Sequence, residues 1–129
     1  MNPQLENVAW ILCAILSVAM IYLTVHLVSR SQFNEHLKRG QDLMEEGNIS
    51  IALEEFNRCV IIDSRNPGGY MARGEAHFRQ GRHEDALKDY NKALELSPQG
   101  PFCNTARIKM AGIQKGMQVL ESVKNISKG

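Results

Sequence analysis

The hydrophobic pattern divides the chain into two unlike parts. From Val8 to Val28 the run VAWILCAILSVAMIYLTVHLV carries no Asp, Glu, Lys or Arg, and as a helix it spans roughly 30 Å, the thickness of a bilayer's hydrocarbon core. After it, apolar residues recur at intervals of three and four, the mark of amphipathic helices. Leu37, Gly40, Leu43 and Met44 hold that spacing between Phe33 and Glu46, and Gly47 with Asn48 ends the segment. A second helix is predicted from Ile49 to Ile62, with Ile51, Ala52, Phe56, Cys59 and Val60 on its apolar face and Asn48 or Ser50 placed to cap it. The stretch Asp63 to Pro67, DSRNP, is a turn whose proline suits the first turn of a following helix. Further helices are predicted from Gly68 to Gln80, breaking at Gly81, and from His83 to Leu96, stopping before Pro98. Between Pro101 and Gly129, the residues Phe102, Ala106, Ile113, Met117, Leu120 and Val123 form a stripe interrupted by Gly112 and Gly116, which reads as one or two helices. No stretch alternates with period two over a convincing length, so the expected fold class is all-α.

Two of these helices are copies of one another. IALEEFNRCVIIDS, residues 51–64, lies over DALKDYNKALELSP, residues 85–98, at an offset of 34: Ala52 over Ala86, Leu53 over Leu87, Phe56 over Tyr90, Asn57 over Asn91, Arg58 over Lys92 and Cys59 over Ala93. Small residues at Gly40, Gly74, Ala52, Ala86, Cys59 and Ala93 allow antiparallel helices to approach closely, and Phe56 and Tyr90 then fill the space between neighbouring units. A helix-turn-helix unit of this length resembles the tetratricopeptide repeat. With the first unit at 33–66 and the second at 67–100, Tyr70, Gly74, Gly81, Ala86, Tyr90, Ala93 and Pro98 fall on that family's signature positions, while His77 stands for a common tyrosine and Arg73 for a common leucine. In the first unit Gly40, Leu43, Gly47, Ala52, Phe56 and Cys59 match, and His36, Arg39 and Ser64 depart. The segment 101–129 is expected to cap the last apolar face, which stacked repeats otherwise leave bare.

The resemblance implies a function of binding rather than chemistry: such repeats hold a peptide or partner helix in the concave surface lined by the first helix of each unit. Here it implies a groove formed by Leu37, Gln41 and Met44 from the first unit and Met71, Glu75, Phe78 and Arg79 from the second. Four of these seven are apolar, which suits an amphipathic helix or apolar peptide. The alternative is that residues 101–125 fold into the groove and bury it. Repeats that clamp a chaperone's acidic C-terminus are similar to one another in carrying Lys and Asn on these inner helices. Leu37, Gln41 and Ala72 stand there in this sequence, so no carboxylate clamp is expected.

Composition narrows the field further. A net charge of +1 provides no field that would draw in nucleic acid. Cys13, Cys59 and Cys103 have no metal-ligand spacing and are expected to be free thiols, and none of His26, His36, His77 and His83 has a Cys, Asp or second His at ligand spacing. Phosphate loops and serine elbows are missing too, so no cofactor, no metal and no enzymatic activity are expected. The apolar run is expected to be an uncleaved single-pass anchor rather than a signal peptide, because Glu6 is the only charge before it and no A-x-A site follows. Arg30, Lys38 and Arg39 follow the run and no Lys or Arg precedes it, which places residues 1–7 outside and the repeats, 33–100, in the cytoplasm. The layout is that of membrane-tethered repeat proteins of bacterial inner membranes, or of receptors on the mitochondrial outer membrane. Ala9, Cys13 and Ser17, four residues apart within the 8–28 span, form a face of small side chains on which another transmembrane helix could pack. The expected function is a membrane-anchored adaptor that positions a protein partner at the bilayer. The alternative is a structural subunit of a larger membrane complex, joined to it through the anchor.

Overall fold

The computed structural model describes residues 3–128, which form α1 (Pro3–Glu45), α2 (Ile49–Ile62), α3 (Pro67–Arg79), α4 (His83–Leu96) and α5 (Cys103–Ser127). Among the described residues there is no strand. The polar stretch Ser29 to Gln32, between the apolar run and the periodic pattern, is an unbroken part of α1. Polarity does not break a helix, and between Pro3 and Gly40 the chain has neither glycine nor proline to do so. With 43 residues, α1 is about 65 Å long at 1.5 Å per residue. Its N-terminal half has an apolar window of mean hydropathy 2.4, none of it buried in the fold, and is long and apolar enough to cross a membrane. Its C-terminal half is the first helix of the packed domain.

The five helices alternate in direction, joined by short turns. Gly47 and Gly81, one repeat apart, adopt φ of +83° and +75° and so reverse the chain after α1 and α3 without the penalty a side chain would bring. Asn66 caps α3 by accepting a 2.9 Å hydrogen bond from the Gly68 amide, with Pro67 in the first turn. The Asn48 side chain makes no capping bond to α2 and binds Glu46 instead, at 3.2 Å.

Two apolar clusters hold the helices together. Met44, Ala52, Leu53, Phe56 and Ala76 join α1, α2 and α3, flanked by Leu37, Leu43, Ile49 and Ala72. Ala86, Tyr90, Ala106 and Ile113 join α4 to α5, flanked by Met71, Leu87, Leu94 and Met110. The glycines that admit the two aromatic rings are fully committed to that role: a Cβ at Gly40 would lie 2.8 Å from Phe56 Cδ1, and one at Gly74 2.9 Å from Tyr90 Cε1. Gly40→Ala is therefore expected to cost about 1–3 kcal/mol by forcing a buried ring aside. Gly112→Ala, where a Cβ meets nothing within 4 Å, should instead stabilise α5 by about 0.5–1 kcal/mol. Opposite shifts of the two urea midpoints would bear this out.

Despite Gly112 and Gly116, α5 is a single helix. It keeps the repeat register, since Ala106 and Lys109 stand 34 residues beyond Ala72 and Glu75. It thus takes the place of a third unit's first helix. Beyond Ile113 its side chains are exposed, Val119, Leu120, Val123 and Ile126 among them.

Candidate functional site

The inner helices α1 and α3 lie side by side, and between them opens a concavity of about 290 Å³ lined by Gln41, Met44, Glu45, Phe56, Ala72, Glu75 and Arg79. Four of the seven predicted groove residues meet there: Gln41, Met44, Glu75 and Arg79. The other three lie elsewhere. Leu37 turns toward the first apolar cluster and Met71 toward the second. Phe78 is 41% exposed, stacks at 5.6 Å on the His83 ring, and lines a separate hollow with Ile113, Met117 and Leu120 of α5. Met44 forms part of the floor and is itself buried. The rim is consequently more polar than the sequence implies, because the apolar residues of α1 and α3 are used against their own partner helices.

Glu75 is the centre of this surface. Its carboxylate accepts hydrogen bonds from Tyr90 Oη at 3.1 Å, from Arg79 Nε at 3.4 Å and from Lys109 Nζ on α5. Burial opposes its ionisation, but the bonds from Lys109, Tyr90 and Arg79 outweigh it and hold the carboxyl below its ordinary range. Burial, and after it the same carboxylate, push the Tyr90 phenol up. Arg79 also reaches the Met44 carbonyl at 3.4 Å, tying α3 to the end of α1. Lys109 ties α5 to α3 beside the concavity, yet no α5 residue lines it. The C-terminal helix leaves this part of the groove open.

A second set of charges lies behind the groove, outside the seven residues that the resemblance implies. Glu55 and Asp89, equivalent positions of α2 and α4, are buried carboxylates at 4% and 5% exposure. Asp89 accepts from Arg73 through both oxygens, at 2.6 and 2.8 Å, while Arg73 also donates to Asn57 on α2 at 3.0 Å. Glu55 accepts from His36 Nδ1 at 2.7 Å and from Arg58 at 3.0 Å. The His36 bond, working against burial and helped by Arg58 and Arg39, keeps the Glu55 carboxyl below its usual range. His77 has its Nε2 3.8 Å from Asp89 Oδ2, and burial holds its pKa below the ordinary histidine value. Four of the five residues that depart from the repeat pattern, His36, Arg39, Arg73 and His77, surround these two acids.

The remaining predicted residues lie on the free half of α1. Ala9, Cys13 and Ser17 are exposed, and the Ser17 hydroxyl donates to the Ala14 carbonyl at 2.9 Å within its own helix. Cys59 and Cys103 are buried free thiols, and burial followed by the Glu55 charge pushes the Cys59 thiol up to about 11. Among the described residues, no group of three His, Cys, Asp or Glu side chains is arranged to hold a metal ion.

A family model described as tetratricopeptide repeat matches residues 37–101. Tetratricopeptide repeat protein 36 of Caenorhabditis elegans is 35% identical over 69 residues, which is 54% of this chain and 37% of that protein. The chain spans well under half the length of the curated relatives it matches. Among solved structures, the tetratricopeptide domain of Arabidopsis OM64 is 25% identical with a TM-score of 0.59, covering 65% of this chain and 67% of that one. The second such domain of Spaghetti (RPAP3), bound to the HSP90 peptide SRMEEVD, is 25% identical with a TM-score of 0.54, covering 71% of this chain and 89% of that one.

Proposed function

Because the chain belongs to the tetratricopeptide repeat family, whose domains mediate protein–protein interaction, we propose that it is a membrane-anchored adaptor that holds a partner's peptide or amphipathic helix in the α1–α3 groove. The observation that carries this is the open concavity around Gln41, Ala72, Glu75 and Arg79, which α5 flanks without filling. Its floor of Met44 and Phe56 accepts a small apolar side chain. Its rim offers an amide, two carboxylates and a guanidinium to polar groups of the same ligand. The basic and amide side chains of a carboxylate clamp are replaced by Leu37, Gln41 and Ala72, so the preferred ligand differs from an acidic chaperone tail. The apolar half of α1, exposed throughout and free of charge from Val8 to Val28, supports anchoring by a single span. The basic residues after it support a cytoplasmic groove.

A photo-crosslinking residue at Gln41 tests the groove. In cells the full chain should yield one dominant adduct, lost when Arg79 is changed to Glu and kept when the exposed α4 residue Lys88 is changed to Glu. An adduct indifferent to Arg79→Glu would move the binding site off this surface. The exposed face of Ala9, Cys13 and Ser17 supports a second role, contact with a membrane subunit. A partner held that way would survive Arg79→Glu and be lost on Cys13→Phe.

A further inference from the structure

We infer that the α2–α3 turn is a second membrane contact: it rests in the lipid headgroup layer beside the emerging end of α1, so that the repeat domain stands on the bilayer at a fixed height. This rests on the anchoring proposed above. Because α1 runs without a break from the apolar run into the domain, the height of every domain residue follows from the position of the span. Phe33, whose carbonyl accepts from the Cys59 thiol at 3.6 Å, stands five residues past Val28, about 7.5 Å along the axis. The turn that follows Cys59 by four residues lies lower still. Ile62, Asp63 and Asn66 face Tyr22, Val25, His26, Ser29 and Arg30 across a cleft of about 470 Å³. A span ending at Val28 thus leaves the turn within the roughly 5–7 Å that headgroups occupy on each side of the hydrocarbon.

The side chains suit that layer. Ile61 is 81% exposed at the end of α2, and its equivalent in the second unit, farther from α1, is Glu95. The repeat therefore does not require an apolar residue at this position. Only the unit that adjoins the span has one. Arg30 and Arg65 are exposed on the same edge, and among the described residues neither is in an ion pair with a carboxylate. Two guanidiniums beside an exposed isoleucine match the phosphates and upper acyl segments of a phospholipid. The cleft, with His26, Ser29 and Asn66 among apolar walls, is filled by the same lipids. The turn is also built to be presented as a rigid unit. Asp63 Oδ1 accepts from the Arg65 amide at 3.1 Å, Asn66 caps α3, and Tyr70 Oη donates to the Ser64 carbonyl at 3.3 Å.

The test uses the full chain in phosphatidylcholine vesicles containing spin-labelled lipids. An environment-sensitive fluorophore is placed at Ile61→Cys or, on the opposite edge, at Arg82→Cys, with the native cysteines replaced. Trp10, the only tryptophan, reports insertion of the span separately. The label at 61 should shift to the blue and lose intensity to lipids labelled near the headgroup, while that at 82 should not. Arg30→Glu with Arg65→Glu should weaken the quenching at 61 and leave that of Trp10 unchanged. Equal responses at 61 and 82 with Trp10 quenched would overturn the contact while sparing the anchor. Trp10 insensitive to labelled lipid would overturn both.

Discussion

A Tyr90→Ala chain is expected to lose about 3–5 kcal/mol of domain stability, the range for removing a fully buried aromatic ring. Tyr90 has no exposed surface, its ring fills the space that Gly74 leaves open, and its hydroxyl donates to Glu75 at 3.1 Å. The ring also touches both sides of the junction between the second unit and α5, through Ala86, Ala106 and Ile113. Single domains retain only about 5–15 kcal/mol in total, and stacked repeats depend on their neighbours for stability. The loss should thus release α5 and lower the urea midpoint of the helical signal, measured by circular dichroism of the full chain in mild detergent. Tyr90→Phe keeps the ring and gives up only the hydrogen bond, and should cost about 0.5–1.5 kcal/mol. If Tyr90→Ala unfolds at the wild-type midpoint, the ring is not what holds the second unit to α5.

The helices and the repeat were legible because they rest on periodicity and on glycine and proline, which act locally. α2 and α4 lie at Ile49–Ile62 and His83–Leu96, where the pattern places them. The continuity of α1 through Ser29 to Gln32 was hidden because polar residues between two apolar patterns resemble a linker, whereas backbone propensity there favours helix. The groove was legible only in part. A period of 3.6 shows that Met44 and Met71 are on an apolar face, but the choice between the concave side and the adjoining helix depends on how the units stack. Glu55 and Asp89 were missed because a lone acid on a helix reads as solvent-facing. Their signal was present in the alignment of the two units: Glu55 lies over Asp89 and Arg39 over Arg73, at positions where the resemblance calls for leucine in place of both arginines. A base in place of an apolar residue in both copies, with an acid recurring at one position of the facing helix, is the mark of buried charge pairing.

That pair gives the other large effect. Arg73→Leu should cost about 3–5 kcal/mol, because it leaves the buried Asp89 carboxylate without a cationic partner, its remaining neighbour being the His77 ring at 3.8 Å, which burial disfavours from carrying charge. It also removes the bond from Arg73 to Asn57, which links α3 to α2. The cost comes mainly from stranding a charge, since leucine itself fits the repeat. Changing Asp89 to leucine as well should therefore recover most of the loss, as happens when a buried ion pair is replaced whole by apolar residues. The comparison is a double-mutant cycle on the urea midpoint, with Arg73→Leu, Asp89→Leu and the double variant. A double variant as unstable as the sum of the singles would mean that the two side chains stabilise the fold independently. A double variant near wild type would mean that the pair contributes little net stability. What it adds in that case is constraint, because a bidentate bond between α3 and α4 permits one rotation of α3 about its axis. Glu75 and Arg79, which face the groove from the same helix, are held in place by that choice.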